Sequence, residues 1–419
     1  MVTAPRNSPF ARVTALAGQR PVHAAFSWLH GNPKRIMNWQ SALVGIPAPP
    51  FGEAARSNWL LERFQEAGLS GVHIDALGNV LAFLPAPNLS PESTGPIVVL
   101  SAHLDTVFPA GTPLLPTLDG ERLEAPGASD NGAGVAGMLA IALALAQSFV
   151  ELPAALLFVG NVGEEGEGDL RGIRHLYNQT ALAGRIAAHI VLDGPGADSA
   201  VTQALGSKRY QLLIWGPGGH SFSDAGTPNP IAALASALAE LAQTFLPSEP
   251  RTTLSIGTIQ GGTSVNSIPE SAQATIDCRS TSAEQLVRLE VALHRAAEDA
   301  VYRANKAASL SAPHSKGTLF FAIKTIGDRP AASLPPNAPL LETLRAVDRH
   351  LGLRTDLRLG STDANIPLSL GVPALSMGAG GSGGGAHTRA EWFSAKDREV
   401  GLKRVLLLTL AMAHWADQP

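Results

Sequence analysis

Short runs of aliphatic and β-branched residues recur along the chain, each followed by a polar or glycine-rich stretch. Ile97–Leu100, Ala155–Val159, His189–Leu192 and Pro373–Met377 are four of them. None alternates apolar with polar positions, so each predicts a strand buried on both faces. From Asp130 to about Gln147 the chain is rich in Ala, Gly and Leu over a helical length. That predicts a helix apolar all round. Upstream, Trp59–Ala67 reads as a helix and His73–Leu84 as a strand, with a polar, proline-rich surface loop over Pro85–Pro96. Buried strands alternating with helices predict an α/β fold with a mostly parallel sheet. Ligands of such sheets gather beyond the carboxyl ends of the strands.

Between about Leu205 and Asp328 the order changes. A strand at Tyr210–Trp215 leads to a helix over Asn229–Phe245, two strands at Thr252–Gln260 and Ser271–Arg279, a long helix over Ala283–Lys306 and a strand at Thr318–Ile326. The order β-α-β-β-α-β is that of the ferredoxin-like split motif. It predicts an α+β domain over 206–328, inserted in a domain made of 1–205 and 329–419. The first 35 residues predict no element.

Composition narrows the functional classes. With 419 residues and 45% hydrophobic content, the chain exceeds what one core organises. Charged residues are 16%, the net charge is −4, and Lys and Arg are scattered, so no nucleic-acid footprint is visible. The single cysteine, Cys278, permits no internal disulfide and suits a reducing compartment. The N-terminus lacks an apolar signal core. The run Val135–Leu145 is far short of the about 20 residues that span a bilayer. A soluble, cytoplasmic protein without membrane contact is the expectation.

Each of the four buried runs has an Asp, Glu or His beyond its end. His103, Asp105, Asp130, Glu164, Glu165, Asp193 and His387 would therefore converge on one cleft. Five carboxylates cannot share a dry cleft without cations, because repulsion would protonate some of them. The two histidines point to metal ions, and oxygen with imidazole donors suits Zn²⁺, with Mn²⁺ or Co²⁺ as substitutes. Two divalent ions would balance three ligand carboxylates and a hydroxide, leaving one carboxylate for proton transfer.

The ordered set HLDTVFP, GASDNGAGVAG, GEEGEG, LDG, GGHSFSD, the NSIP–DCR pair and a late His resembles the M20 family of zinc peptidases and amidohydrolases. The resemblance runs from His103 to His387. It implies a zinc-exopeptidase-like catalytic domain, and it makes the insert a lid and dimerisation domain of a homodimer. It implies two zinc ions held by His103, Asp130, Glu165, Asp193 and His387, with Asp130 bridging them beside a cis peptide to Asn131. Asp105 would hydrogen-bond the second ring nitrogen of His103, Glu164 would be the general base, and His220 would polarise the scissile carbonyl, often from the neighbouring subunit. Asn266 and Arg279 would hold a substrate carboxylate. Within the family, Asp at position 193 goes mainly with aminopeptidases and dipeptidases, and Glu with carboxypeptidases and deacylases. Short peptides are therefore the expected substrates. An N-acyl-amino-acid deacylase or carboxypeptidase is the alternative, and a non-catalytic metal-binding homologue is the second.

Simpler readings exist for several of these residues. Asp130 could be only a helix N-cap, Asp193-Gly a plain turn, and Asn266 and Arg279 ordinary strand-end polarity. The remaining histidines are read as structural. Asp363, in STDAN, sits where the resemblance places an S-D-A segment near the site, which implies a supporting role. The run GAGGSGGGAH, residues 378–387, also matches G-x-G-x-x-G and G-x-S-x-G. Neither fits its context. A dinucleotide loop follows the first strand, and a nucleophilic Ser is followed at a distance by its acid and His. The run reads as a pliable arm that delivers His387.

Overall fold

Four strands frame the larger part of the molecule. In the computed structural model, which describes residues 8–84, 95–311 and 317–416, the strands Ala155–Asn161, Ile97–His103, Ile186–Leu192 and Ala374–Met377 lie side by side in that order. All three neighbouring pairs are parallel. Every residue of Ile97–His103 and Ala155–Asn161 is buried, which is why neither segment alternates. Ile97 and Val99 join Leu157, Val159, Ile173 and Leu176 in one cluster with the helix Arg171–Asn178. Helices Gly132–Ser148 and Arg398–Ala416 also pack on the Ile97–His103 strand. Burial of each such aliphatic side chain contributes about 1.5–3 kcal/mol, so the strand ends stand on a rigid base.

The sheet is not wholly parallel. The single strand expected over His73–Leu84 is a hairpin of Ser70–Ile74 and Val80–Leu84. Asp75 makes the turn: its Oδ1 accepts from the amides of Leu77, Gly78 and Asn79 at 2.9–3.0 Å. The strand Ser199–Ala204 runs antiparallel to Ala374–Met377 and carries Asp356–Gly360 beside it. The proline-rich loop predicted from Pro85 lies outside the described residues as far as 94.

Four helices precede the hairpin, the last being Ala54–Glu66, and the first three are Pro9–Ala17, Arg20–Gly31 and Pro33–Val44. Each of the first three has Pro in its first turn, where a missing N–H costs no hydrogen bond. The second and third pack on helix Gly132–Ser148. That helix is buried almost all round, as its composition predicts.

Residues Leu205–Ala332 form a separate compact unit; the chain up to Ala204 and from Ser333 forms the other. The insert's sheet has the order Thr252–Gly261, Ser271–Ser280, Gly206–Trp215, Phe320–Arg329, with all pairs antiparallel. In chain order this is 2-3-1-4, the ferredoxin-like arrangement. Tyr210, Leu212 and Ile214 alternate with partly exposed residues and pack with Ala274, Ile276, Leu234 and Leu293 from the opposed strand and helices.

Candidate metal centre

The carboxyl ends of the four parallel strands gather seven chemical side chains. His103 is the last residue of its strand and 1% exposed. Its Nε2 lies 3.1 Å from Asp130 Oδ1 and 3.8 Å from Asp193 Oδ1. His387 Nε2 lies 3.1 Å from Asp130 Oδ2 and 3.2 Å from Glu165 Oε1. Two donor triads result, His103–Asp130–Asp193 and Asp130–Glu165–His387, and they share Asp130. A third grouping joins His103, Glu164 and Glu165.

The spacing fits metal coordination. Ligands at about 2.0–2.1 Å from a tetrahedral zinc stand about 3.3 Å apart, close to the separations above. The Oδ1 of Asp130 is buried and makes no hydrogen bond among the described residues, although His103 Nε2 is 3.1 Å away. A nitrogen and an oxygen at that separation, both buried, are spaced as two ligands of one ion would be. The donors present therefore fit a divalent cation on each side of Asp130.

The loops are held by backbone amides. Asp105 is fully buried, and its Oδ1 and Oδ2 accept from the amides of Glu164 and Glu165 at 3.0 and 2.8 Å. His103 Nδ1 meets the Asp105 carbonyl at 3.1 Å, whereas the carboxylate stands 3.7 Å away. In this arrangement the carbonyl is the nearer partner of the ring, and the carboxylate holds the Glu164–Glu165 loop. Asn131, not Asp130, caps helix Gly132–Ser148: its Oδ1 accepts from Gly134 and Gly194 amides at 3.1 Å, and its Nδ2 donates to the Leu192 carbonyl at 2.8 Å. That ties the Asp130 turn to the Asp193 turn. The Asp130–Asn131 peptide is cis.

The glycine arm is fixed rather than pliable. Ser382–Gly384 pairs with Trp392–Ser394 in a short hairpin. A Cβ at Gly378 would sit 2.1 Å from the Pro195 carbonyl, and at Gly380, where φ is +76°, 2.2 Å from that of Arg398. Both positions require glycine for close packing. His387 itself has φ +64°, at the tip of the arm.

Three buried residues behind the ligands escaped the sequence reading. Glu391, 1% exposed, accepts from the Gly127, Ser129 and Asp130 amides and the Ser129 hydroxyl. Arg56 donates to the carbonyls of Ile46 and Leu104, near Asp105 and Glu391; burial lowers its pKa to about 10 against those two carboxylates. Asn161 donates to Asp363, whose carboxyl is pushed up to about 7 by burial. A spacing of four residues between His387 and Glu391 is the only trace of this shell in the sequence. His189, read as structural, is enclosed between Tyr177 Oη and Ser101 Oγ, and burial lowers it to about 3. His314 lies outside the described residues.

Crowding among these donors shifts their titration. Burial would raise Asp130, but the imidazoles of His103 and His387 outweigh it and hold it well below the usual carboxylate range. Burial pushes Glu165 up to about 6. Contact with Asp130 raises His387 to about 9, against partial burial and with help from Glu165. A histidine raised in the fold stabilises it fully below its unfolded pKa of about 6.5, and the stabilisation is lost as pH rises through the folded value. The chelator-stripped protein should therefore lose melting temperature between about pH 6.5 and 9. Over the same window zinc affinity should rise, because the neutral imidazole is the ligand. Thermal scans of stripped protein check this; a melting temperature that rises across the window contradicts it.

In the inserted unit, His220 and Asn266 come together. His220 pairs with Ser267, and the Ser221 amide donates to the Asn266 carbonyl at 3.0 Å. The His220 side chain is exposed, and its Nδ1 accepts from the Phe222 and Ser223 amides at 3.2 and 3.3 Å. Arg279 is not with them. It lies near the far end of strand Ser271–Ser280, about 26 Å from Ser271 at about 3.3 Å per residue. Its Nε donates to Asp277 at 2.8 Å.

The model of peptidase family M20/M25/M40 matches residues 99–411. The chain belongs to this family. A probable carboxypeptidase of Paracoccidioides lutzii is 31% identical over 219 residues, which cover 47% of this chain and 49% of that protein. A succinyl-diaminopimelate desuccinylase of Xanthomonas campestris is 29% identical over 255 residues, covering 56% of this chain and 66% of the relative. The chain thus spans about half to two thirds of these family members. The crystal structure of aminopeptidase PepT from Bacillus cereus superposes with a TM-score of 0.70 at 20% identity, over 91% of this chain and 99% of that one. The M20 fold, with its central mostly parallel sheet, therefore extends over nearly the whole chain, as the motif resemblance implied. No helix among the described residues is long and apolar enough to cross a membrane.

Proposed function

We propose that this M20 member hydrolyses amide bonds of short peptides with a free N-terminus, using two zinc ions shared through Asp130. One observation carries the reading: two donor triads meet at Asp130, with the buried carboxyl of Glu164 beside them. When bound, the ions would lower the pKa of a water and polarise the scissile carbonyl. Glu164 takes the proton of the attacking water and returns it to the leaving amine. His220 donates to the carbonyl oxygen as negative charge develops there. Because His220 and Asn266 lie far from Arg279 within one inserted unit, one copy of that unit cannot bring all three to one substrate. A homodimer would supply His220 and Asn266 from the second copy, leaving Arg279 to grip a carboxylate through its planar fork.

The carboxypeptidase and desuccinylase relatives favour the second reading, a carboxypeptidase or N-acyl-amino-acid deacylase of the same mechanism. A panel of free tripeptides, N-acetylated tripeptides and N-acyl amino acids separates the two. The expected result is cleavage of free peptides, abolished by EDTA and restored by Zn²⁺. Preference for the acylated substrates would replace the first reading by the second. Cleavage that survives EDTA would remove the metal mechanism.

A further inference from the structure

Glu391 has no place in the reaction, yet no other buried carboxylate in the centre accepts as many hydrogen bonds. Its Oε2 accepts from the Gly127 amide at 2.9 Å, and its Oε1 from the Ser129 amide at 2.8 Å, the Ser129 hydroxyl at 2.7 Å and the Asp130 amide at 2.7 Å. Its own carbonyl accepts from the Ala125 amide at 3.1 Å. Its amide donates to the Thr388 carbonyl at 3.3 Å, and the Thr388 amide donates to Gly385 at 3.0 Å, closing the turn that holds His387. One residue thus stitches the turn that presents Asp130 to the arm that presents His387.

The two donor triads depend on it unequally. Of Asp130, Glu165 and His387, two depend on what the Glu391 side chain joins: Asp130, whose amide it accepts, and His387, whose arm it ties to the Asp130 turn from residue 391. Of His103, Asp130 and Asp193, only Asp130 does. His103 is fixed at a strand end and Asp193 by its amide to the Met377 carbonyl at 3.0 Å. We infer that Glu391 is a positioning residue that secures the His387 half of the centre and leaves the His103 half largely independent of it. The inference rests on the reading that the site takes two ions.

The test titrates metal-free protein with Co²⁺ against a competing chelator and follows the visible absorption of the bound ion, which reports coordination. His387→Ala marks the spectral component that belongs to its half. In Glu391→Gln, an amide NH₂ must face backbone N–H donors. That component should weaken by about 10–100-fold, the range for lost outer-sphere partners of metal ligands, and the other component far less. Ser129→Ala removes one of the four bonds and should shift the same component by a smaller factor; it decides the matter if Glu391→Gln does not fold. Equal weakening of both components overturns the inference. So does a lower melting temperature of the metal-free variant with both affinities unchanged, which is what a merely structural residue would give. A wild-type chain that takes up only one ion overturns the two-ion reading and this inference with it. Two ions in wild type with no selective loss overturns the inference alone.

Discussion

Glu164→Ala keeps its metal and its fold and loses about 10²–10⁴ in turnover, the range of general acid–base catalysis. The reason is a division of labour along one loop. The Glu164 and Glu165 amides are both held by Asp105, so the path of the loop does not depend on the Glu164 side chain. The two triads that meet at Asp130 do not include Glu164, so its removal leaves both donor sets intact. What disappears is the carboxylate proposed to move the proton. Glu164→Gln should behave alike, because it restores shape without basicity. Steady-state kinetics with metal analysis of the same samples check this. Wild-type turnover in either variant would take Glu164 out of the mechanism; loss of metal would make it a ligand.

Asp130→Ala should abolish activity by a different route, by depriving both donor triads of a shared carboxylate. Its Oδ1 faces His103 and its Oδ2 faces His387, so the substitution leaves two donors in each triad. Removing a ligand from a three-donor set forfeits both a bond and the charge balance that made binding favourable. The turn itself should survive, since Glu391 and Asn131 hold it through groups other than the Asp130 side chain. The variant should therefore melt near the wild-type metal-free temperature while binding little zinc. His387→Ala, by contrast, should retain the ion on the His103 side. Equilibrium dialysis against Zn²⁺ distinguishes the two. Two ions retained by Asp130→Ala would mean that Asp130 bridges nothing.

The sheet was legible because Val, Ile and Leu runs without alternation can be buried only on both faces, and the four central strands are such runs. The candidate donors were legible through ordered motifs, and His103, Glu164, Glu165 and Asp193 stand at or just past strand ends. The supporting shell was not. Glu391 contacts Gly127 and Asp130 from more than 260 positions away, and a carboxylate that accepts backbone amides leaves no pattern in either segment. Asp105 shows the same limit: H-x-D spacing brings the residue beside the ring but does not reveal that its carboxylate also accepts the Glu164 and Glu165 amides. The three N-terminal helices were missed although Pro9, Pro21 and Pro33 each stand in a first turn. Their buried sets are small or interrupted, as with Val22, Ala25 and Leu29, so the helical period is faint. Two glycine signatures in residues 378–384 coincide with close packing, of Gly378 on Pro195 and Gly380 on Arg398, a constraint that a local motif cannot distinguish from ligand binding.

The most direct test of the paired centre is metal analysis of purified, exhaustively desalted protein, read as moles of zinc, manganese and cobalt per chain. The account predicts about two divalent ions per chain, one for each triad at Asp130. A value near zero that persists after incubation with excess Zn²⁺ and removal of the free ion would contradict it, leaving an M20 fold whose clustered carboxylates serve some other purpose.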